Sequence, residues 1–506
     1  MVTVVRGRWV VADDGDGPRV LEDGGVAVQG DTIAAVGPWT EISGAYPAAD
    51  VLGGPNAAVM PGIVNAHHHA NAITHIQHGI ADDVLEPWIL GNSAMRPVDG
   101  HLGTLFASGR LLKTGVTAVV DMASYAAASD ETHTMFVGRL DGYEKAGIRG
   151  VLCPGMRFLS RLVHNEDAAF LETLPAALRA RVQAEIMDQP TGSVDDYLDI
   201  VADLLARVEG MRFAAVGYGP PGPQWVGDEA MQRIAELAAA HDTIIQTHAQ
   251  ESLMERQEGP RRHGRSTIAH MAHLGVLSDR LSFAHAVWAS AADIALLAES
   301  GAAVSHNPSS NLRLRSGVAP LPAMLAAGVT VGLGMDGTTI GDDEDYYAEM
   351  RLALRLHRAP RFADPVPTPE DILGLATTGG ARLMRRPDIG RLAVGMQADL
   401  AVLDLSRATW PWVAPEVAPV AFLLQRAKAG DVSDVLIAGE HVLRAGEPTR
   451  FDMAAVGEEI AATLGAAPAN LERADLVADL LPHLRAFYAD WAPDDLTPYT
   501  AMNSRT

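Results

Sequence analysis

Residues 61–69 read Pro61-Gly62-Ile63-Val64-Asn65-Ala66-His67-His68-His69, a short apolar run that ends in a histidine triplet. In an extended chain, side chains two apart project to the same side, so His67 and His69 can meet one ion while His68 turns away as a structural residue. A His-x-His triplet alone is weak evidence of a metal. What decides the matter is whether other strands end the same way. From residue 59 onward, eight apolar runs (59–65, 116–122, 149–154, 212–219, 243–248, 281–285, 302–306 and 329–336) alternate with amphipathic stretches such as 103–113, 195–208, 228–240 and 291–299. The fifth run ends on His248, the sixth on His285 and the eighth on Asp336. Eight alternations of strand and helix predict an α/β chain folded as a (β/α)8 TIM barrel rather than an open doubly wound sheet. In a closed barrel those strand ends ring one mouth, where the catalytic groups of this fold sit.

Outside the alternation the pattern changes. Short β-type runs separated by Gly and Asp turns fill residues 1–57 and return after Asp388. The two ends are expected to pair into one small β-sandwich, giving a sandwich domain from 1–57 and 390–450, a barrel from 58–389 and a helical extension over 451–506 that closes in a polar tail.

Composition narrows the function. The 506 residues carry 39 Lys+Arg against 63 Asp+Glu, a net charge of −24, which disfavours nucleic acid and anionic membrane surfaces as partners. Arg6, Arg8, Asp13 and Asp14 interrupt the apolar N-terminus, so it lacks the apolar core of a signal peptide, and no apolar run is long enough to span a bilayer. The single cysteine, Cys153, can build neither an intramolecular disulfide nor a thiolate cluster, so a metal must be held by His and carboxylates. A cytoplasmic protein is expected, acting on a small molecule and assembled as a homo-oligomer of two or more copies.

His67, His69, His248, His285 and Asp336 therefore form a candidate metal site. An all N/O donor set suits Zn2+, with Fe2+ or Mn2+ as alternatives, and an open position marks a catalytic rather than a structural centre. Glu251 follows His248 by three residues, close enough to reach a metal-bound water, and is the candidate proton shuttle; the rival reading is a carboxylate favoured by a helix N-terminus. The chain has three lysines, Lys113, Lys145 and Lys428, and none lies in 212–223, where a two-metal barrel hydrolase needs a carboxylated lysine as bridging ligand. One metal ion per chain is expected.

These residues resemble the amidohydrolase superfamily, in its mononuclear deaminase and triazine-hydrolase branch. Pro61-Gly62 with His67-x-His69 is similar to the family's first-strand motif, His248-Ala249-Gln250-Glu251 to its His-x-x-Glu, and His285 to its sixth-strand histidine. The segment from Ser305 to Pro320, followed by Gly334-Met335-Asp336-Gly337, is very similar to that of methylthioadenosine/S-adenosylhomocysteine deaminases. The resemblance implies that His67, His69, His248 and Asp336 bind one metal, commonly zinc. It also implies that His285 hydrogen-bonds hydroxide or substrate and that Glu251 moves protons. Hydrolytic removal of an amino or substituted amino group from a heteroaromatic ring by a metal-activated hydroxide follows. Hydrolysis of an amide, amidine or chloro substituent on a related ring is the nearest alternative, and a non-catalytic metal-binding protein or sensor the more distant one. Two departures stand out. Pro221 replaces the histidine of a Gly-Pro-His after the fourth strand, and Arg110 falls where a ribose-binding Glu is expected. The acidic run Asp342-Asp343-Glu344-Asp345 is either a solvated loop or a pocket edge suited to a cationic or NH-rich substrate. Trp88, Arg157, Gln224 and Trp225 are expected in loops over the mouth.

Overall fold

The computed structural model describes residues 2–15, 17–125, 129–468, 470–491 and 496; apart from Leu496, the polar tail expected after residue 491 lies outside this range. Among the described residues, sixteen strands fall into three sheets. The first sheet takes β1 (Val2–Ala12), β2 (Arg19–Gln29), β3 (Thr32–Pro38) and β4 (Asp50–Pro61) from one end of the chain. From the other end it takes β13 (Leu400–Asp404), β14 (Val432–Ile437), β15 (Glu440–Arg444) and β16 (Glu447–Pro448). The two ends do pair: β13 lies antiparallel on β4, Leu400 opposite Pro61 and Asp404 opposite Ala57. They join as one eight-stranded mixed sheet, in the order β16-β15-β14-β13-β4-β1-β2-β3. Alternation along each strand feeds two cores. Val10, Val59 and Val402 enter one with Val5 and Val26, while Trp9, Val11, Ala58, Met60, Ala401 and Leu403 join the large core shared with the rest of the molecule.

The eight remaining strands are parallel: β5 (Ile63–His68), β6 (Val116–Tyr125), β7 (Arg149–Met156) and β8 (Ala214–Val216) in one sheet, β9 (Ile245–Ala249), β10 (Leu281–His285), β11 (Ala303–His306) and β12 (Val331–Leu333) in the other. Single parallel bridges meet at both seams, Tyr218 to Ile245 and His68 to Asp336. Each of the eight overlaps an expected run, though β6, β7 and β9 continue past the predicted ends to Tyr125, Met156 and Ala249, and the first differs more. The first run, 59–65, is two strands, because Pro61 has no N–H for a ladder and the Gly62 N–H turns to the Asp399 carbonyl at 2.9 Å. A Cβ on Gly62 would lie 2.1 Å from Thr117 Oγ1, so only glycine passes between the two sheets here.

Helices return each parallel strand to the next. Those that shape the site are α1 (Leu85–Asn92), α2 (Gly100–Lys113), α3 (Asp228–Ala240), α4 (Leu253–His263), α5 (Thr267–His273), α6 (Pro308–Arg313), α7 (Tyr346–Leu356), and two near the C-terminus, α8 (Met453–Ala466) and α9 (Leu471–Tyr488). Asp99 caps α2, Ser252 caps α4 and Asp345 caps α7, each accepting a first-turn backbone N–H. Among the described residues, no helix is long and apolar enough to cross a membrane.

Candidate active site

The carboxyl ends of the parallel strands bring His67, His69, His248, His285 and Asp336 together. His67 belongs to β5, with His69 just beyond it; His248 lies in β9, His285 ends β10 and Asp336 follows β12. Backbone strain collects at these exits: Ala70, Gln250, His285, Ala286 and Asp336 all have positive φ without being glycine, His285 at 74° and Asp336 at 56°.

Three imidazoles are fixed through Nδ1, His67 by Gln246 Oε1 at 2.8 Å, His69 by the Met122 carbonyl at 2.7 Å and His248 by the Pro221 carbonyl at 2.7 Å. A carbonyl only accepts, so Nδ1 carries the proton and each Nε2 lone pair faces the centre. His67 Nε2 lies 3.6 Å and His69 Nε2 2.9 Å from Asp336 Oδ1. One donor atom each from His67, His69 and His248 lie within 4.8 Å of one another, as do those of His67, His285 and Asp336. Nε2 of His67 and of His285 are buried without a hydrogen-bond partner. Orphaned lone pairs of this kind are costly unless something binds them, so the donor set fits a divalent cation.

Electrostatics separates the roles. Burial works to raise the Asp336 pKa, but the contacts with His67 and His69 overcome it and hold the carboxyl well below its usual range, with Ser310 Oγ donating to Oδ2 at 2.6 Å. Burial lowers His67, and holds His248 well down with help from the neighbouring imidazoles. In His69, burial is outweighed by Asp336 and the pKa rises. His285, anchored by Asn311 Oδ1 at 2.8 Å, is pulled by burial to about 4 and is neutral at pH 7. Its Nε2 stands 3.4 Å from Glu251 Oε2 and 3.6 Å from Asp336 Oδ2. Burial, then the nearby Glu255 and Asp336, push the Glu251 carboxyl well above its ordinary range, which favours its protonated form.

A cavity of about 590 Å³ opens from this cluster, lined by His69, His248, Glu251, His285 and Asp336 at its base and by Trp88, Leu85, Met95, Val98, Met135 and Trp225 above. Trp88, Arg157 and Trp225 line it, Arg157 from a loop as expected, Trp88 from α1 and Trp225 from a short helix, Pro223–Val226. Gln224 instead lies behind the wall, donating to Glu255 Oε1 at 2.9 Å. His68 is structural, accepting the Ala70 N–H at 3.0 Å.

Three sequence features find their places. Arg110 does not face the cavity: it reaches the Ala72 carbonyl at 3.3 Å and Glu344 at 3.4 Å, and the carboxylate of this region that does line the cavity is Asp99. The acidic run is no pocket edge. Asp342 pairs with Arg313 at 2.8 Å, Glu344 with Arg110, and Asp345 caps α7. Pro221, which lacks a side-chain donor, serves through its carbonyl on His248. Sequence reasoning passed over Gln246, Ser310 and Asn311, although Gln246 sits two residues before His248 on the same face of its strand. It also left His75 without a role; the ring lies 4.3 Å from Trp88 on the cavity wall, and burial lowers its pKa to about 4.

A second cluster, Asp228, His263 and His270, has donor atoms equally close. The two imidazoles there stack at 3.5 Å with planes 12° apart. An ion must lie near the plane of each ring that binds it, so face-to-face stacking keeps it from serving both.

The amidohydrolase family profile matches residues 58–442, and that of a bacterial imidazolonepropionase-like composite domain matches residues 24–49. The 5-methylthioadenosine/S-adenosylhomocysteine deaminase of Nitratidesulfovibrio vulgaris is 33% identical over 86% of this chain and 91% of its own length. The 5'-deoxyadenosine deaminase of Methanothermobacter thermautotrophicus is 30% identical over 85% and 93%. Among solved structures, an adenosine deaminase from Xanthomonas campestris with bound zinc superposes with a TM-score of 0.76 at 26% identity, over 94% of this chain and 98% of that one. The atrazine chlorohydrolase of Arthrobacter aurescens, complexed with zinc, shares the fold with a TM-score of 0.76 at 22% identity, over 91% and 100%.

Proposed function

This chain belongs to the amidohydrolase family, and from that premise we propose that it hydrolytically removes an amino group from a heteroaromatic ring of adenosine-like type. It is a hydrolase of carbon–nitrogen bonds other than peptide bonds. The observation that carries the ring-amine reading is the placement of Glu251, a buried carboxyl held well above the usual carboxyl range, in an aromatic-walled cavity 3.4 Å from neutral His285 and beside ionised Asp336.

His67, His69, His248 and Asp336 would hold one divalent ion, most simply Zn2+. When bound, such an ion supplies Lewis acidity that brings the pKa of a coordinated water toward neutrality. The chain's own groups do the rest. Glu251 gives its proton to the ring nitrogen beside the amine-bearing carbon, which makes that carbon electrophilic. Asp336 takes a proton from the incoming water and His285 orients the water's oxygen. Glu251, now ionised, accepts the new hydroxyl proton and passes it to the leaving amine, so that ammonia departs and a ring carbonyl remains; Asp336 then returns the proton it took from water to Glu251, which resets both groups. The apolar walls exclude bulk water.

We read the two parallel sheets as halves of one closed (β/α)8 barrel, supported by the bridges at both seams, and the terminal sheet as a small sandwich domain, supported by its two cores. The division into 1–57 with 390–450, 58–389 and 451–506 belongs to the same proposal, as does a cytoplasmic homo-oligomer, whose size light scattering would settle.

The test is ammonia or amine release from a panel of amino-purines, pterins, pyrimidines and triazines, with wild type and Glu251→Gln. Turnover on a ring amine is expected for wild type, and Glu251→Gln should keep its metal while losing about 10²–10⁴-fold in rate. Retained turnover in that variant sinks the shuttle role. Absence of activity on every ring amine shifts the reading to a chloro, amide or amidine substituent, which Pro221, offering no side-chain donor to a purine nitrogen, already favours over a strict nucleoside pocket.

A further inference from the structure

The C-terminal helix α9 lies beyond the matched span 58–442 yet reaches the back of the site. Its contact is His164, a residue 3% exposed that has no part in the chemistry above. The His164 N–H donates to Tyr488 Oη at 2.9 Å, and its ring lies against Tyr488, Trp491 and Trp225, with centroids 5.9, 6.5 and 6.0 Å away. Its Nε2 faces Glu86 Oε1 on α1 at 3.3 Å. That same Glu86 oxygen accepts the hydroxyl of Ser252, the residue directly after Glu251. Ser252 Oγ in turn accepts the Glu255 N–H at 3.0 Å, and Glu255 Oε2 accepts the Glu251 N–H at 2.8 Å. Glu251 thus sits in a turn held from two sides, by Glu255 from within α4 and by a chain Tyr488–His164–Glu86–Ser252 from outside it.

We propose that His164 and the C-terminal helix α9 are positioning elements of the active site, holding Glu251 in place through Glu86 and Ser252; this rests on Glu251 being the proton shuttle. The arrangement is built rather than incidental. Glu86 and Ser252 are both buried. Burial works against protonation of His164, but Glu86, Glu255 and Glu258 outweigh it and raise its pKa, which strengthens its hold on Glu86. Around this chain α9 buries Leu476, Leu480 and Leu484 with Val163 and Phe170, and Arg261 of α4 lies over the Trp491 ring at 4.2 Å. Misplacing a proton donor by a fraction of an ångström affects the chemical step more than binding, because a near-attack geometry is lost while the pocket walls stay.

The experiment compares wild type with Tyr488→Phe, Glu86→Gln, His164→Asn and the double Glu86→Gln/His164→Asn, in the metal-loaded full chain. We expect kcat to fall about tenfold with KM within about twofold and metal content unchanged. The double variant should lose no more than the worse single one, since both break one chain. Hydrogen exchange of the backbone over 250–256, read without any substrate, should quicken in all variants. Unaltered exchange overturns the proposal whatever kcat does, and so does a wild-type kcat or a loss confined to KM. Tyr488→Phe removes one hydroxyl and no ring volume, so it decides the matter if His164→Asn does not fold. Inactive wild type on every ring amine would fail the functional reading instead, and the exchange data would still judge the brace.

Discussion

At the residue scale, the imidazoles around the site are set by what binds their far nitrogen. Gln246 is the clearest case. Its Oε1 accepts from His67 while its Nε2 donates to the Ala66 carbonyl at 2.9 Å and to Ser282 at 3.2 Å, so the amide cannot flip without breaking its contacts with His67 and Ala66. Gln246→Leu, similar in size but unable to accept, should lower metal affinity by about 10–100-fold. Competition with a chromophoric chelator measures this, and wild-type affinity would show that His67 needs no orienting partner. The candidate ligands, which the fold brings together, were legible because strand-end histidines stand out against apolar runs. Their partners were not, since Met122, Pro221 and Asn311 come from a strand, a loop and a helix well away in sequence, and only the fold tells which oxygen faces which ring. Asp99 escaped notice because its role as a helix cap hides it among ordinary capping residues.

Elements were read where burial on both faces makes a strand uniformly apolar, and misjudged where the apolar run outlasts the ladder. In 212–219 and 329–336, only Ala214–Val216 and Val331–Leu333 are strand; the residues after each strand lead on toward Pro221 and Asp336, while Arg212, before β8, pairs with Glu440 of the terminal sheet. A pair of histidines, both passed over as chemistry, links one strand to one helix. His306 ends β11 and meets His357 at the end of α7, Nε2 to Nε2 at 2.9 Å. Burial lowers the His357 pKa to about 4. A base with a depressed folded-state pKa stabilises fully above its unfolded value near 6.5, and that stability is lost as pH falls from there to about 4, because the unfolded chain binds the proton first. His357 alone should account for roughly 3 kcal/mol of this loss at about 1.4 kcal/mol per pH unit. Urea unfolding at several pH values should therefore show stability falling below pH 6.5, and His357→Gln should flatten that slope. An unchanged slope would assign it to other groups.

Across the whole molecule, one buried ion pair joins the parallel strands to the terminal sheet. Arg149, opening β7, donates to both oxygens of Asp399 at 2.7 and 3.1 Å, and Asp399 also accepts the Ala438 N–H at 2.7 Å. Breaking such a pair leaves a buried charge alone, so Asp399→Leu should cost about 3–5 kcal/mol, with Arg149→Met/Asp399→Leu together recovering much of it. Denaturant midpoints of the singles and the double check this; equal losses in all three would mean the pair acts only through packing. That the two chain ends meet was readable from their matching Gly-punctuated strands. The ion pair was not, since 250 residues separate its partners.

The passage of β4 into β5 through Gly62 has a practical side. The first two candidate ligands lie only a few residues beyond a strand that belongs to the other sheet, so no cut divides the chain into an autonomous catalytic piece and a dispensable ornament. A fragment trimmed to the matched span 58–442 would keep β13 but strip β1 to β3 and most of β4 from beside it. Open strand edges invite intermolecular pairing. Expression trials, shuffled chimaeras and domain-grafting schemes built on this protein must carry both termini together, as inseparable flanks of a single catalytic unit.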